Sequence, residues 1–241
     1  MNTSLNDGID LAKELNRKLR DFCLSHETQV ILAVPFTHIN NVLRNVIEKI
    51  PVAAQNCSQF DNGAYTGEIS ATMLANMEVK YVIIGHSERR QFFGDTNQVI
   101  NQKLTKCYEN GLIPILCCGE TLEEREKQNH FKLVETQIIE ALKDIEANNL
   151  KTTVIAYEPV WAIGTGKTAT PQQAQEMHSH IRKIIEKLYD AEIANNITIL
   201  YGGSVNAQNS SELFAQNDID GGLVGGASLK VDDFVTIVNS I

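Results

Sequence analysis

Glu158 stands immediately before Pro159, at the end of the apolar run 152–157 and at the head of the stretch Glu158-Pro159-Val160-Trp161-Ala162-Ile163-Gly164-Thr165-Gly166-Lys167-Thr168. A carboxylate partly withdrawn from water beside a segment able to move has the character of a general base that takes a proton from carbon. His86 follows Gly85 and precedes Ser87, a natural helix start, so the positive end of that helix is expected to lower its pKa and keep the imidazole neutral. A neutral imidazole still donates a hydrogen bond to a carbonyl oxygen. Gly202-Gly203-Ser204 and Gly225-Gly226 follow two further apolar runs. Glycines let backbone N–H groups approach a phosphate closely, and Ser204 adds a hydroxyl donor. Gly164 is placed to close over the same anion from the long loop. Taken singly, each feature has an ordinary explanation: a surface ion pair for Glu158, a satisfied core histidine for His86, plain turns for the glycine pairs. Their force depends on whether the chain brings them to one place.

Seven short apolar, β-branched runs recur along the chain, at 29–34, 52–56, 80–84, 113–117, 152–157, 197–201 and 219–224. They are continuous rather than alternating, which suits parallel strands covered on both faces by helices. Each is followed by a helical pattern. The clearest helix starts are a capping box from Thr121 to Glu124 and Thr170-Pro171-Gln172-Gln173, with proline in the first turn and glutamine at its third position. The chain itself opens on a helical stripe of Leu11, Leu15, Leu19 and Phe22. Eight helical stretches against seven strands predict an α/β fold, a (β/α)8 barrel lacking its first strand, folded as one domain over residues 1–241. A doubly wound open sheet ranks second, because no Gly-x-Gly-x-x-Gly turn follows an early strand. In a parallel barrel all strand ends share one rim, so the clusters at Gly85, Glu158, Gly202 and Gly225 are expected to converge there.

Several function classes are disfavoured. A formal net charge of -9 and a pI near 5.2 argue against nucleic acid or an anionic membrane surface as the main partner. No apolar stretch approaches the roughly 18 residues a membrane span needs. The five cysteines, Cys23, Cys57, Cys107, Cys117 and Cys118, show no CxxC spacing, and a reducing cytoplasm fits them best. Gly164-Thr165-Gly166-Lys167-Thr168 ends like a nucleotide-binding loop, but the required first glycine falls at Trp161. His178 and His180 are two apart on a helix and do not share a face as zinc ligands would.

The segments Tyr65-Thr66-Gly67-Glu68-Ile69-Ser70, Gly85-His86-Ser87-Glu88-Arg89-Arg90, Ala156 to Gly166, Tyr201-Gly202-Gly203-Ser204-Val205 and Gly222-Leu223-Val224-Gly225-Gly226-Ala227 stand in an order that resembles the triosephosphate isomerase family, with similarity along the whole chain. The resemblance implies a TIM barrel that interconverts dihydroxyacetone phosphate and glyceraldehyde 3-phosphate through an enediol or enediolate, in glycolysis and gluconeogenesis, with no metal or organic cofactor. It assigns Glu158 as the base, His86 to the substrate oxygens and Glu88 to the same site. Gly164, Ser204, Gly225 and Gly226 would bind the phosphate, residues 159–169 would form a lid, and Cys117 would lie close to the base. The loop of residues 56–66, from Asn56 to Thr66, resembles the arm through which family members form homodimers. Family members carry a first strand ending in Asn-x-Lys-Met-Asn, whereas this sequence starts at the Met1-Asn2 of that motif. An N-terminally truncated barrel without the active-site lysine is therefore expected, with activity reduced by roughly a hundredfold or more. The alternatives are a catalytically silent barrel that still binds phosphate, or an aldolase, which would need a strand-end lysine that this chain does not offer.

Overall fold

A computed structural model describes residues 1–163 and 168–241, the side chains at positions 24 and 25 excepted. Six parallel strands form one sheet: β1 (Leu32–Val34), β2 (Val52–Ala54), β3 (Tyr81–Ile84), β4 (Ile113–Cys118), β5 (Val154–Tyr157) and β6 (Thr198–Tyr201). Their spatial order is their chain order, without the reversal that defines a doubly wound sheet. The seventh expected run is extended but pairs only through the bridge between Tyr201 and Gly222. Asp220 N–H donates to Ile199 O, Tyr201 N–H to Gly221 O and Leu223 N–H to Tyr201 O, so this segment continues the sheet beyond β6.

The strands are buried on both faces, as continuous apolar runs require. Ala53, Tyr81, Ile83, Ile115, Cys117 and Ala156 form the inner cluster, while the alternate residues Val82, Ile84, Leu116, Ile155, Tyr157 and Ile199 join the larger core shared with the helices. Among the described residues the sheet does not close. A cavity of about 1370 Å³ is bounded by β1 on one side and by Gly221 to Gly226 on the other, with Leu11 and Leu15 of the first helix in its wall.

Twelve α-helical segments stand among the described residues where eight were expected, because short pieces such as Ile39–Leu43, Leu122–Glu126 and Ala191–Asn196 fold separately. The first helix runs Leu5–Ser25 and begins with a capping box between Ser4 and Asp7. At Pro171–Leu188 both halves of the expected box form. At Leu122–Glu126 only one does: Thr121 caps Glu124 N–H, but the Glu124 carboxylate turns to Asn129. No helix among the described residues is long and apolar enough to cross a membrane. The register sets the site, since Cys118, Tyr157 and Tyr201 share one rung, and the chain leaves β4, β5 and β6 at the same level.

Candidate active site at the C-terminal rim

Close backbone packing brings the two candidate acid–base groups together. Gly85 ends β3 with φ +76, and a Cβ there would lie 2.8 Å from Ile100 Cδ1, so glycine serves both the turn and the space. The chain then enters the helix Ser87–Phe93, whose N-cap is His86. Across the rim, Glu158 N–H donates to Cys118 O at 2.7 Å, and Gly202 N–H donates to Tyr157 O at 2.7 Å. Gly119 passes so close to this point that a Cβ would sit 1.7 Å from Glu158 O.

His86 Nδ1 accepts the N–H of Glu88 at 3.3 Å, which leaves the ring proton on Nε2. That Nε2–H points at Glu158 Oε1, 2.9 Å away. Glu158 is 1% exposed and also accepts Ser87 N–H at 2.9 Å and Ser87 Oγ–H at 3.2 Å. Burial pushes the His86 pKa down, but the hydrogen bond it donates to Glu158, the Glu158 charge and that of Glu88 push it up, and the net shift is upward. The expected lowering by the helix end is thus reversed, because a carboxylate at 2.9 Å outweighs a helix terminus. Cys117 lies in the same core, its thiol held well above the usual range by burial first and by the Glu158 charge second.

The Glu88 carboxylate is 66% exposed and 3.8 Å from His86 Nδ1, on the solvent side of the ring. Ser204, Gly225 and Gly226 line the same cavity as His86 and Glu158. Among the described residues, a Cβ at Gly225 or Gly226 would meet nothing within 4 Å, so packing against those residues does not require glycine at either position. Gly164 lies outside the described residues.

Three participants escaped the reading of the sequence. Ser87 was read only as a helix start, yet it gives Glu158 two hydrogen bonds. Glu120 is fully buried, and its Oε1 receives Trp161 Nε1–H at 2.8 Å, Arg125 Nη1 at 3.0 Å and Tyr157 OH at 3.1 Å. Its carbonyl also accepts Val160 N–H, so one residue anchors the turn Val160–Ala162 that follows Glu158. Arg90 joins the ends of β3 and β4. A charged residue just past the end of a continuous apolar strand was a usable signal for Glu120, two positions beyond β4, and is close to the one that singled out Glu158.

A sequential parallel α/β sheet with a carboxylate, an imidazole and a glycine-lined hollow at its C-terminal rim has the architecture of a TIM-barrel enzyme. Sequence comparison gives the family. The profile described as triosephosphate isomerase matches residues 1–241. Triosephosphate isomerase of Porphyromonas gingivalis (strain ATCC 33277) is 50% identical over 241 residues, covering 100% of this chain and 95% of that protein. The enzymes of that name from Cytophaga hutchinsonii and Alkaliphilus metalliredigens are 47% identical over 240 residues and 45% over 239, covering 100% and 99% of this chain and 95% and 96% of theirs. The chain belongs to the triosephosphate isomerase family.

Proposed function

We propose that this chain folds as a single domain and interconverts dihydroxyacetone phosphate and D-glyceraldehyde 3-phosphate in the cytoplasm, moving a proton between adjacent carbons through an enediol or enediolate. The observation that carries the reading is the contact of His86 Nε2 with Glu158 Oε1 at 2.9 Å, in one cavity with Ser204, Gly225 and Gly226. Glu158 is the base. Its oxygens are engaged by Ser87 and His86 before substrate arrives, so the carboxylate must rotate away from them to meet a carbon-bound proton. That rotation withdraws the Glu158 hydrogen bond and charge, the two largest influences that raise the His86 pKa, and leaves only the smaller Glu88 charge against burial, which favours the neutral ring. The Nε2–H is then available to the substrate carbonyl oxygen, and the Glu88 amide on Nδ1 keeps the tautomer correct. Ser204 and the backbone amides of Gly225 and Gly226 hold the phosphate, with Gly164 completing the set.

The same reading includes a homodimer formed through residues 56–66. Phe60 and Tyr65 of this loop stack at 4.1 Å while 41% and 43% exposed, and Phe92 and Phe93 present further aromatic surface. Five free thiols support a reducing compartment. The test is isomerase turnover of the purified 241-residue chain, together with solvent-deuterium uptake into the substrate. Turnover accompanied by carbon-bound deuterium is the expected result. Full phosphate-ester affinity without exchange would instead identify a silent phosphate-binding barrel.

A further inference from the structure

Arg90 lies four residues beyond His86 in the helix Ser87–Phe93, yet its side chain turns back toward the strand ends. Nε donates to Gly85 O at 2.8 Å, Nη2 to Cys117 O at 2.9 Å and Nη1 to Asn97 Oδ1 at 2.6 Å. Gly85 O belongs to the peptide unit that enters His86. Cys117 O belongs to the unit that enters Cys118, whose own carbonyl receives Glu158 N–H at 2.7 Å. One planar guanidinium therefore joins the main chain that carries the imidazole to the strand that supports the carboxylate. We propose that Arg90 is a positioning residue for the isomerisation, holding the Gly85 and Cys117 carbonyls in one rigid fork so that His86 keeps its place and tautomer opposite Glu158. The inference rests on the acid–base reading of that pair.

The residue type fits the task. A guanidinium presents its donors in a fixed plane, whereas a lysine ammonium is a single point that swivels between acceptors. An apolar side chain of similar length would fill the space without desolvating a charge, so packing alone does not call for arginine. The link to the tautomer is short. His86 adopts φ -49 and ψ 142, and this conformation lets its Nδ1 accept the Glu88 N–H. Releasing the Gly85 carbonyl frees the peptide plane that sets this conformation. A displacement of about 1 Å at a reacting pair can cost on the order of a hundredfold in rate.

The test compares the full chain with Arg90→Gln, Arg90→Lys and Asn97→Ala. Each is measured for kcat and KM, and by ¹⁵N-histidine NMR without substrate, with the His86 signal assigned through His86→Gln. The native protein should show a single Nε2–H tautomer. Arg90→Gln should show mixed tautomers and a kcat lower by about a hundredfold, with KM within about threefold. Arg90→Lys should recover part of both. Asn97→Ala removes only the outer acceptor and should lower kcat by several-fold. A folded Arg90→Gln with native tautomer and native kcat overturns the proposal. If that variant does not fold, native kcat and tautomer in both Arg90→Lys and Asn97→Ala overturn it equally. Should the parent chain lack isomerase activity, the functional reading fails and the tautomer measurement alone decides the role of Arg90.

Discussion

Replacing Glu120 by alanine should unfasten the turn that follows Glu158. Its Oε1 is the shared acceptor for Trp161, Arg125 and Tyr157, and its Oε2 has no hydrogen-bond partner among the described residues. Removing one member of a buried ion pair costs about 3–5 kcal/mol. The Arg125 side chain keeps 16% exposure, which places the expected loss near the lower end, about 3 kcal/mol. At about 2–4 °C per kcal/mol for a chain of this size, the melting temperature should fall by about 6–12 °C. Glu120→Gln preserves an acceptor oxygen but not the charge, and should lose roughly half as much. Trp161 is the only tryptophan in the sequence, so its emission reports the turn directly. Loss of the carboxylate should shift that emission measurably, and kcat should fall further than the folded fraction does. Arg125 already lies over the Trp161 ring at 5.2 Å and offers no replacement acceptor. An alanine variant with native melting and native Trp161 emission would refute the idea that Glu120 anchors this turn.

Glu158→Gln keeps the shape of the proposed base but not its proton affinity, and isomerisation should drop by about 10²–10⁴-fold while phosphate-ester binding survives, as read by turnover and calorimetry. His178 is fully buried, its Nδ1–H bound to Ala174 O, and burial depresses its pKa to about 4. Because the unfolded chain takes up that proton first, the stability it contributes is complete above pH 6.5 and disappears as pH falls through 4, on the order of 3 kcal/mol in all. Urea unfolding between pH 8 and pH 4 should show this slope in the native chain and a shallower one in His178→Phe. Gly119→Ala drives a methyl into Glu158 O, so about 1–3 kcal/mol of stability should go together with activity. A Gly119→Ala protein as stable and active as the parent contradicts the packing described at that point.

How much was legible depended on the range of the signal. Continuous apolar runs report burial on both faces, a property of the strand itself, and five of the seven reappear as strands within about two residues of the expected bounds. The first starts later, at Leu32 rather than position 29, and the last pairs with β6 but, among the described residues, has no partner on its other side. The capping box at Thr170 was local chemistry and formed in full, while the one at Thr121 lost its second half to Asn129, a residue the motif does not contain. The convergence of Glu158 with His86 followed from parallel topology alone. The sign of the His86 shift did not, because it depends on a carboxylate 72 positions away that sequence places on the rim but not at contact distance. Arg90 was harder still, because an arginine in a helix looks solvated until the backbone shows what it reaches, while Glu120 carried a strand-end signal that did not name its partners.

The two hydrogen bonds at the end of β5 limit how far the Glu158 carboxylate can reach. With Glu158 N–H tied to Cys118 O, Tyr157 O tied to Gly202, and Gly119 pressed against the carbonyl, the main chain at this position has no slack. Only two methylene groups are left to carry the carboxylate from its resting partners to a substrate. An aspartate in its place would hang about 1.5 Å short, the length of one carbon–carbon bond, against an approach window near 3–3.5 Å. Side-chain length thus acts as a fixed ruler in this molecule, and remodelling the loops around the rim would not lengthen it.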